Sequence, residues 1–182
     1  MANPIRVVRL EEPDREQFLA AHSDPALRET LMPVPVSSEE RSNAFERALR
    51  GGQSGSRHLV FGVKAESSRH LLGIVSYVLG DQREAMIAGF IASVEERGKG
   101  LGTQAAAAVL DFAFLKLRMH RVAGSHLETN PAPGAVMRKI GMIREGRCRE
   151  QYFVDGAWVD VINYSILESE WEQIRMSVLA PL

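Results

Sequence analysis

The residues with the most specific chemistry in this sequence are Glu96-Arg97-Gly98-Lys99-Gly100-Leu101-Gly102-Thr103. Three alternating glycines let the backbone turn tightly and let a ligand approach without meeting a Cβ, so successive N–H groups can converge on one point. Thr103 reads as the N-cap of a helix over residues 104–118, which would aim its unpaired N–H groups and the positive end of its dipole at the same place. The chemistry is that of an anion cradle suited to phosphate, weighed against a solvated glycine turn. Spacing excludes two other phosphate loops. Lys99 is followed by Gly100 rather than by the Ser or Thr of a P-loop, and Thr103 stands where a dinucleotide fingerprint needs its third glycine.

The surrounding elements must present that loop. Residues 5–10 predict a short first strand and residues 15–31 a helix broken near Asp24-Pro25, followed by an extended Pro-rich connector over 32–36. Ser37 or Ser38 with Glu39-Glu40 opens a helix that runs to Arg50. Runs at 58–65, 71–79 and 85–94 read as an antiparallel meander, and the third, apolar on both faces, belongs at the centre of a sheet. It leads into the glycine loop. In the helix that follows, the polar Gln104, Asp111 and Arg118 fall seven apart on one stripe, leaving the rest to be buried. Residues 121–128 predict a strand, and Asn130-Pro-Ala-Pro opens a short helix ending at Gly141. Strands over 142–154 and 158–167 then turn at Asp155-Gly156.

Bulk composition narrows the partners. The chain has 182 residues, 45% hydrophobic and 25% charged, with a formal charge of -1, which fits one globular domain and gives no reason to expect nucleic acid or an anionic membrane. No apolar run approaches the ~20 residues of a membrane span, and the first residues lack a signal-peptide core. Five histidines and the single Cys148 show no metal spacing, so no metal is expected. A reducing, cytoplasmic setting is expected.

Arg97-x-x-Gly100-x-Gly102 before a helix resembles the pyrophosphate-binding motif of the GNAT N-acetyltransferase superfamily. Asn130 with Val136-Met137-Arg138-Lys139-Ile140-Gly141 and Glu145-Gly146 is similar to the second signature of its ribosomal-protein (Rim-type) branch. Trp158-x-Asp160-x-x-x-Tyr164-Ser165-Ile166-Leu167 with Glu170-Trp171 resembles that branch's C-terminal strand. The resemblance implies one α/β (α+β) domain over residues 5–175, with a mixed, mostly antiparallel sheet of about seven strands flanked by helices and splayed between strands 4 and 5. It implies acetyl-CoA as co-substrate and direct transfer of the acetyl group to a primary amine. The diphosphate would be held by Arg97, Gly98, Lys99, Gly100, Gly102 and Thr103. The pantetheine arm would pair like an added strand with the end of the fourth strand, at Ile91, Ser93 and Val94. Asn130 and Arg138 complete the cofactor contacts, Asn130 alternatively serving as a helix N-cap.

Direct transfer needs an uncharged amine, donors for the carbonyl oxyanion and a proton for the departing thiolate. Here the sequence departs from its relatives. Pro133 and Met137 stand where they carry a serine or tyrosine acid, and neither can give a proton. His126 and Glu128, sharing strand parity with Asn130, are the candidates for catalytic duty, against plain structural or solvated roles. An α-amine, with pKa near 8 against about 10.4 for lysine, needs less help from a base, which favours N-terminal or small-molecule acceptors. The rival reading is a non-catalytic acyl-CoA-binding or sensor module. The sequence does not specify the acceptor or the oligomeric state, homodimer included.

Overall fold

The computed structural model describes residues 5–24, 37–50, 56–66, 68–92, 101–154 and 156–179; the side chains of residues 88–92 and 101 are outside that description. β-branched and aromatic runs bounded by Ser and Gly give β2 (His58–Ala65) and β3 (Leu71–Leu79), with the predicted limits. They join β1 (Ile5–Val8) and β4 (Glu84–Ala92) in an antiparallel meander. β5 (Arg121–Leu127), β6 (Ile143–Val154) and β7 (Ala157–Leu167) complete a seven-stranded sheet in the order β1-β2-β3-β4-β5-β7-β6. β4 is thus central, as its apolar sequence predicts, and β4 with β5 forms the parallel pair.

Helices cover the sheet unequally. α1 (Arg15–Ala21) follows a 3-10 turn over Glu12–Asp14, while α2 (Ser38–Leu49) is opened by a capping box. Ser37 Oγ accepts from the Glu40 N–H at 3.1 Å, and Glu40 Oε2 accepts from the Ser37 N–H at 2.9 Å. Phe18, Phe45, Leu71 and Ile74 seal these two helices onto β2 and β3. Each such buried side chain contributes roughly 1.5–3 kcal/mol. On the other face α3 (Leu101–Leu115), α4 (Ala132–Lys139) and α5 (Glu168–Leu179) enclose the larger core. Small residues Ala105, Ala107, Ala108 and Ala113 let α3 lie close to the sheet, where the Tyr77 hydroxyl donates to the Val109 carbonyl at 2.8 Å. Asp111 accepts from Trp171 Nε1 at 3.2 Å and from Arg175, tying α3 to α5.

Several boundaries differ from expectation. α3 is already helical at Leu101, so Thr103 lies inside the first turn and is not its N-cap. The helix ends at Leu115, and Arg118 adopts a left-handed φ of 58°, so it is not part of the polar stripe. β5 ends at Leu127, with Glu128 in the following turn, and α1 ends at Ala21. The connector at 32–36 and the helix expected beyond residue 24 lie outside the described residues.

Candidate active site

The site begins where the sheet opens. β4 and β5 pair from Glu84↔Arg121 to Ile87↔Gly124 and no further. Beyond that point β4 stays with β3 as far as Ala92↔Gly73, and β5 stays with β7 as far as Leu127↔Val161. The parting coincides with a bulge: Tyr77 faces Ile87 and Ser76 faces Gly89, so Ala88 is an extra residue in β4. An extra residue bends its strand. The result is a wedge whose walls are two strand edges, fit for an extended ligand that carries amides.

One wall leads toward α3. Gly102 is exposed in the first turn of that helix, with no described residue within 4 Å of the position a Cβ would take, and Thr103 follows half-buried. The N–H groups of a first turn have no intrahelical acceptor, so the early start of α3 keeps Gly102 and Thr103 available to an anion. Ile91 lies on β4 opposite Ile74. Ser93, Val94, Arg97, Gly98, Lys99 and Gly100 lie outside the described residues.

The other wall is the end of β5 with α4. The Asn130 N–H donates to the Leu127 carbonyl at 3.0 Å, and the helix cap is Pro131 rather than Asn130. The N-cap alternative for Asn130 is thereby corrected: the chain takes one more residue before turning helical. Pro133 sits in the first turn, where its missing N–H would have had no helical partner. Met137 lies 3.5 Å from where a Gly124 Cβ would be. Arg138 is exposed, and its Nη1 donates to the Tyr164 hydroxyl at 2.9 Å, linking α4 to β7.

Strand parity does not bring His126, Glu128 and Asn130 onto one cleft face, since β5 has ended before the second of them. His126 is 7% exposed and packs beneath α4, with Nδ1 at 2.7 Å from the Leu127 carbonyl oxygen. Glu128 is exposed and accepts from Arg147 Nη2 at 2.9 Å; Arg147 Nε also reaches Asp160 Oδ2 at 2.5 Å.

On the opposite face, α1 and α2 leave β4, β5 and β7 uncovered among the described residues. A groove of about 340 Å³ is lined there by Met86, Arg121, Ser125, Glu145, Cys148 and Asn163. Arg121 pairs with Glu84 and, at 2.5 Å, with Glu145 Oε2, while Ser165 Oγ donates to Glu145 Oε1 at 2.6 Å. These bonds, Ser165 first and Arg121 second, hold the Glu145 carboxyl below its usual range. Sequence reasoning missed this cluster and Tyr164. The charged members come from separate strands, and although Glu145 belongs to a recognised signature, no local spacing marks its pairing with Arg121. Tyr164 stood inside a recognised motif without a role.

The domain described as Acetyltransferase (GNAT) domain matches residues 5–143. The Bacillus subtilis (strain 168) protein YdaF, provisionally named a ribosomal N-acetyltransferase, is 38% identical over 104 residues, covering 56% of this chain and 56% of its own. The chain therefore matches about half the length of that relative. The [Ribosomal protein uS5]-alanine N-acetyltransferase of Escherichia coli (strain K12) is 23% identical over 173 residues, 91% of this chain and 89% of its own. Spermidine N-acetyltransferase from Vibrio cholerae, solved in complex with CoA and spermine, superposes with a TM-score of 0.81 at 20% identity, over 94% of this chain and 99% of that one. That likeness is one of fold. A domain match over most of the sequence, on a sheet parted between its fourth and fifth strands, establishes that this chain belongs to the GNAT acetyltransferase-domain family.

Proposed function

We propose that this protein is an acetyl-CoA-dependent N-acetyltransferase that moves the acetyl group directly to a primary amine, either a protein N-terminal α-amine or a small-molecule amine. The observation that carries this reading is the end of the β4–β5 ladder at Ile87↔Gly124, flanked by the first turn of α3 and by the Leu127–Asn130 turn. The functional domain takes in residues 5–175, because β7 and α5 share the core of α3 through Ile166 and Trp171. Its working place is the cytoplasm, in keeping with a free, exposed Cys148.

In this reading the residues of 97–103 hold the diphosphate, the open edge of β4 near Ile91, Ser93 and Val94 pairs with the amide-bearing arm, and Asn130 and Arg138 flank it. The groove across β4, β5 and β7 takes the acceptor. The names of relatives that act on a ribosomal-protein alanine and on spermidine support both acceptor classes. Pro133 and Met137 supply no proton to the departing thiolate, so that proton comes from water or the substrate amine; a thiol pKa of about 8.5 makes this tolerable.

The test is release of free thiol from acetyl-CoA in the presence of peptides with a free N-terminus, a linear polyamine, or an amine-blocked control. Amine-dependent release is expected. Calorimetric binding of acetyl-CoA without release by any amine would instead select the non-catalytic acyl-CoA-binding module. Absence of binding would overturn the reading.

A further inference from the structure

What faces each ring nitrogen of His126 assigns its state. Nδ1 lies 2.7 Å from the Leu127 carbonyl oxygen. A carbonyl only accepts, so Nδ1 carries the hydrogen and, in the neutral ring, Nε2 the lone pair. Nε2 is buried without a hydrogen-bond partner among the described residues and is turned onto Gly134 of α4, where a Cβ would stand 2.4 Å from it. The ring stacks on Tyr164, centroids 5.8 Å apart and planes at 28°, and Tyr164 is itself bonded to Arg138 of α4. The Leu127 oxygen that receives Nδ1–H also receives the Asn130 N–H at 3.0 Å. One carbonyl therefore ties the imidazole to the turn that presents Asn130.

We infer that His126 is a positioning residue for acyl-CoA binding. Its Nδ1–H fixes the Leu127 carbonyl that shapes the turn to Asn130, and its ring sets how closely the first turn of α4 approaches β5. It is not a proton carrier for the acceptor, because Nε2 is turned onto the backbone of α4 at Gly134. The inference rests on the acyl-CoA reading above and adds a residue that acts through Asn130.

The experiment measures acetyl-CoA affinity by calorimetry, KM, kcat and melting temperature for His126→Leu, His126→Asn, Asn130→Ala and the His126→Leu/Asn130→Ala pair. Leucine fills much of the ring's volume but offers no donor; asparagine places its Nδ2 where Nδ1 stands and leaves a larger void. Affinity should fall about tenfold in His126→Leu and stay within about twofold in His126→Asn, although the asparagine variant melts lower. In His126→Asn, kcat should stay within a few fold, whereas loss of a catalytic base would typically cost about 10²–10⁴. The double variant should bind no more weakly than Asn130→Ala. Should the leucine variant not fold, His126→Gln replaces it, since its amide sits one bond too far out to meet the Leu127 carbonyl. Affinities that follow the order of melting temperatures, or effects of the His126 and Asn130 changes that multiply, would overturn the assignment. Failure of the unaltered protein to bind acetyl-CoA would instead overturn the acyl-CoA reading and this inference with it.

Discussion

Replacing Gly134 with alanine sets helix propensity against packing, so the sign of the result is informative. In a helix with open space beside it, Gly→Ala stabilises by about 0.5–1 kcal/mol. Here the new Cβ would stand 2.4 Å from His126 Nε2 and 2.9 Å from its Cδ2. Relaxed contacts need about 3.5 Å, so the ring or the helix must yield by roughly 1 Å. The ring is held by its bond to the Leu127 carbonyl and its stack on Tyr164, and cannot swing aside cheaply. Overpacking of this kind costs about 1–3 kcal/mol. The net expectation is destabilisation by about 1–2 kcal/mol, a fall in melting temperature of roughly 2–8 °C for a domain of this size. In a His126→Ala background the Cβ finds room and the sign should reverse, with Gly134→Ala raising the melting temperature by about 1–4 °C. Scanning calorimetry of the four proteins makes the comparison. A Gly134→Ala protein that melts higher while His126 is present would refute the reasoning.

Three further predictions follow from the same site. Pro133→Ser gives the first turn of α4 a hydroxyl at little cost to the fold; if protonation of the thiolate limits turnover, kcat should rise by about 10²-fold or more, and an unchanged kcat where chemistry is limiting would show that the proton has another source. Gly102→Val adds a side chain in open space, so melting should shift by no more than about 4 °C while acetyl-CoA affinity falls at least about tenfold by calorimetry; retained affinity would remove Gly102 from the anion site. The Glu145 carboxyl is depressed first by Ser165 and then by Arg121, from a reference value of 4.5, so its stabilisation is complete above that value and is lost as pH falls through the folded pKa. Ser165→Ala should therefore narrow the difference in melting temperature between neutral pH and about pH 3, and an undiminished difference would acquit the hydrogen bond.

Local signals in the sequence located most of the frame. The helix-opening signal at Ser37 or Ser38 and the β-branched runs of β2 and β3 are features whose chemistry acts within a few residues; the strands keep their predicted limits, and of the two serines Ser37 forms the capping box, with Glu40. Thr103 misled because a threonine before an apolar run reads as a cap even when the helix has already begun two residues earlier. His126 shows a different limit. Alternation assigns a side chain to a face of the strand, but what lies on that face depends on α4, whose Gly134 makes room for the ring. Glu145 and Ser165 stand inside two recognised motifs, but nothing in the sequence says that they meet Arg121, since three strands bring the cluster together through the register of the β5–β7–β6 half of the sheet.

The brevity of the β4–β5 ladder also has a mechanical side. Four rungs, from Glu84↔Arg121 to Ile87↔Gly124, join a half-sheet of β1 to β4 to a half-sheet of β5, β7 and β6. Few ladder bonds cross this seam, and the two halves also meet through the helices: α3, seated on β1 and β3, packs against α4 and α5, which are seated on β5, β6 and β7. An extended, amide-bearing ligand seated between the parted ends would prolong the β4 ladder past its last rung and lie against the turn at the end of β5, as lacing joins two leaves of a binding. Occupancy of the wedge would then brace the two half-sheets beyond the point where their own ladder stops.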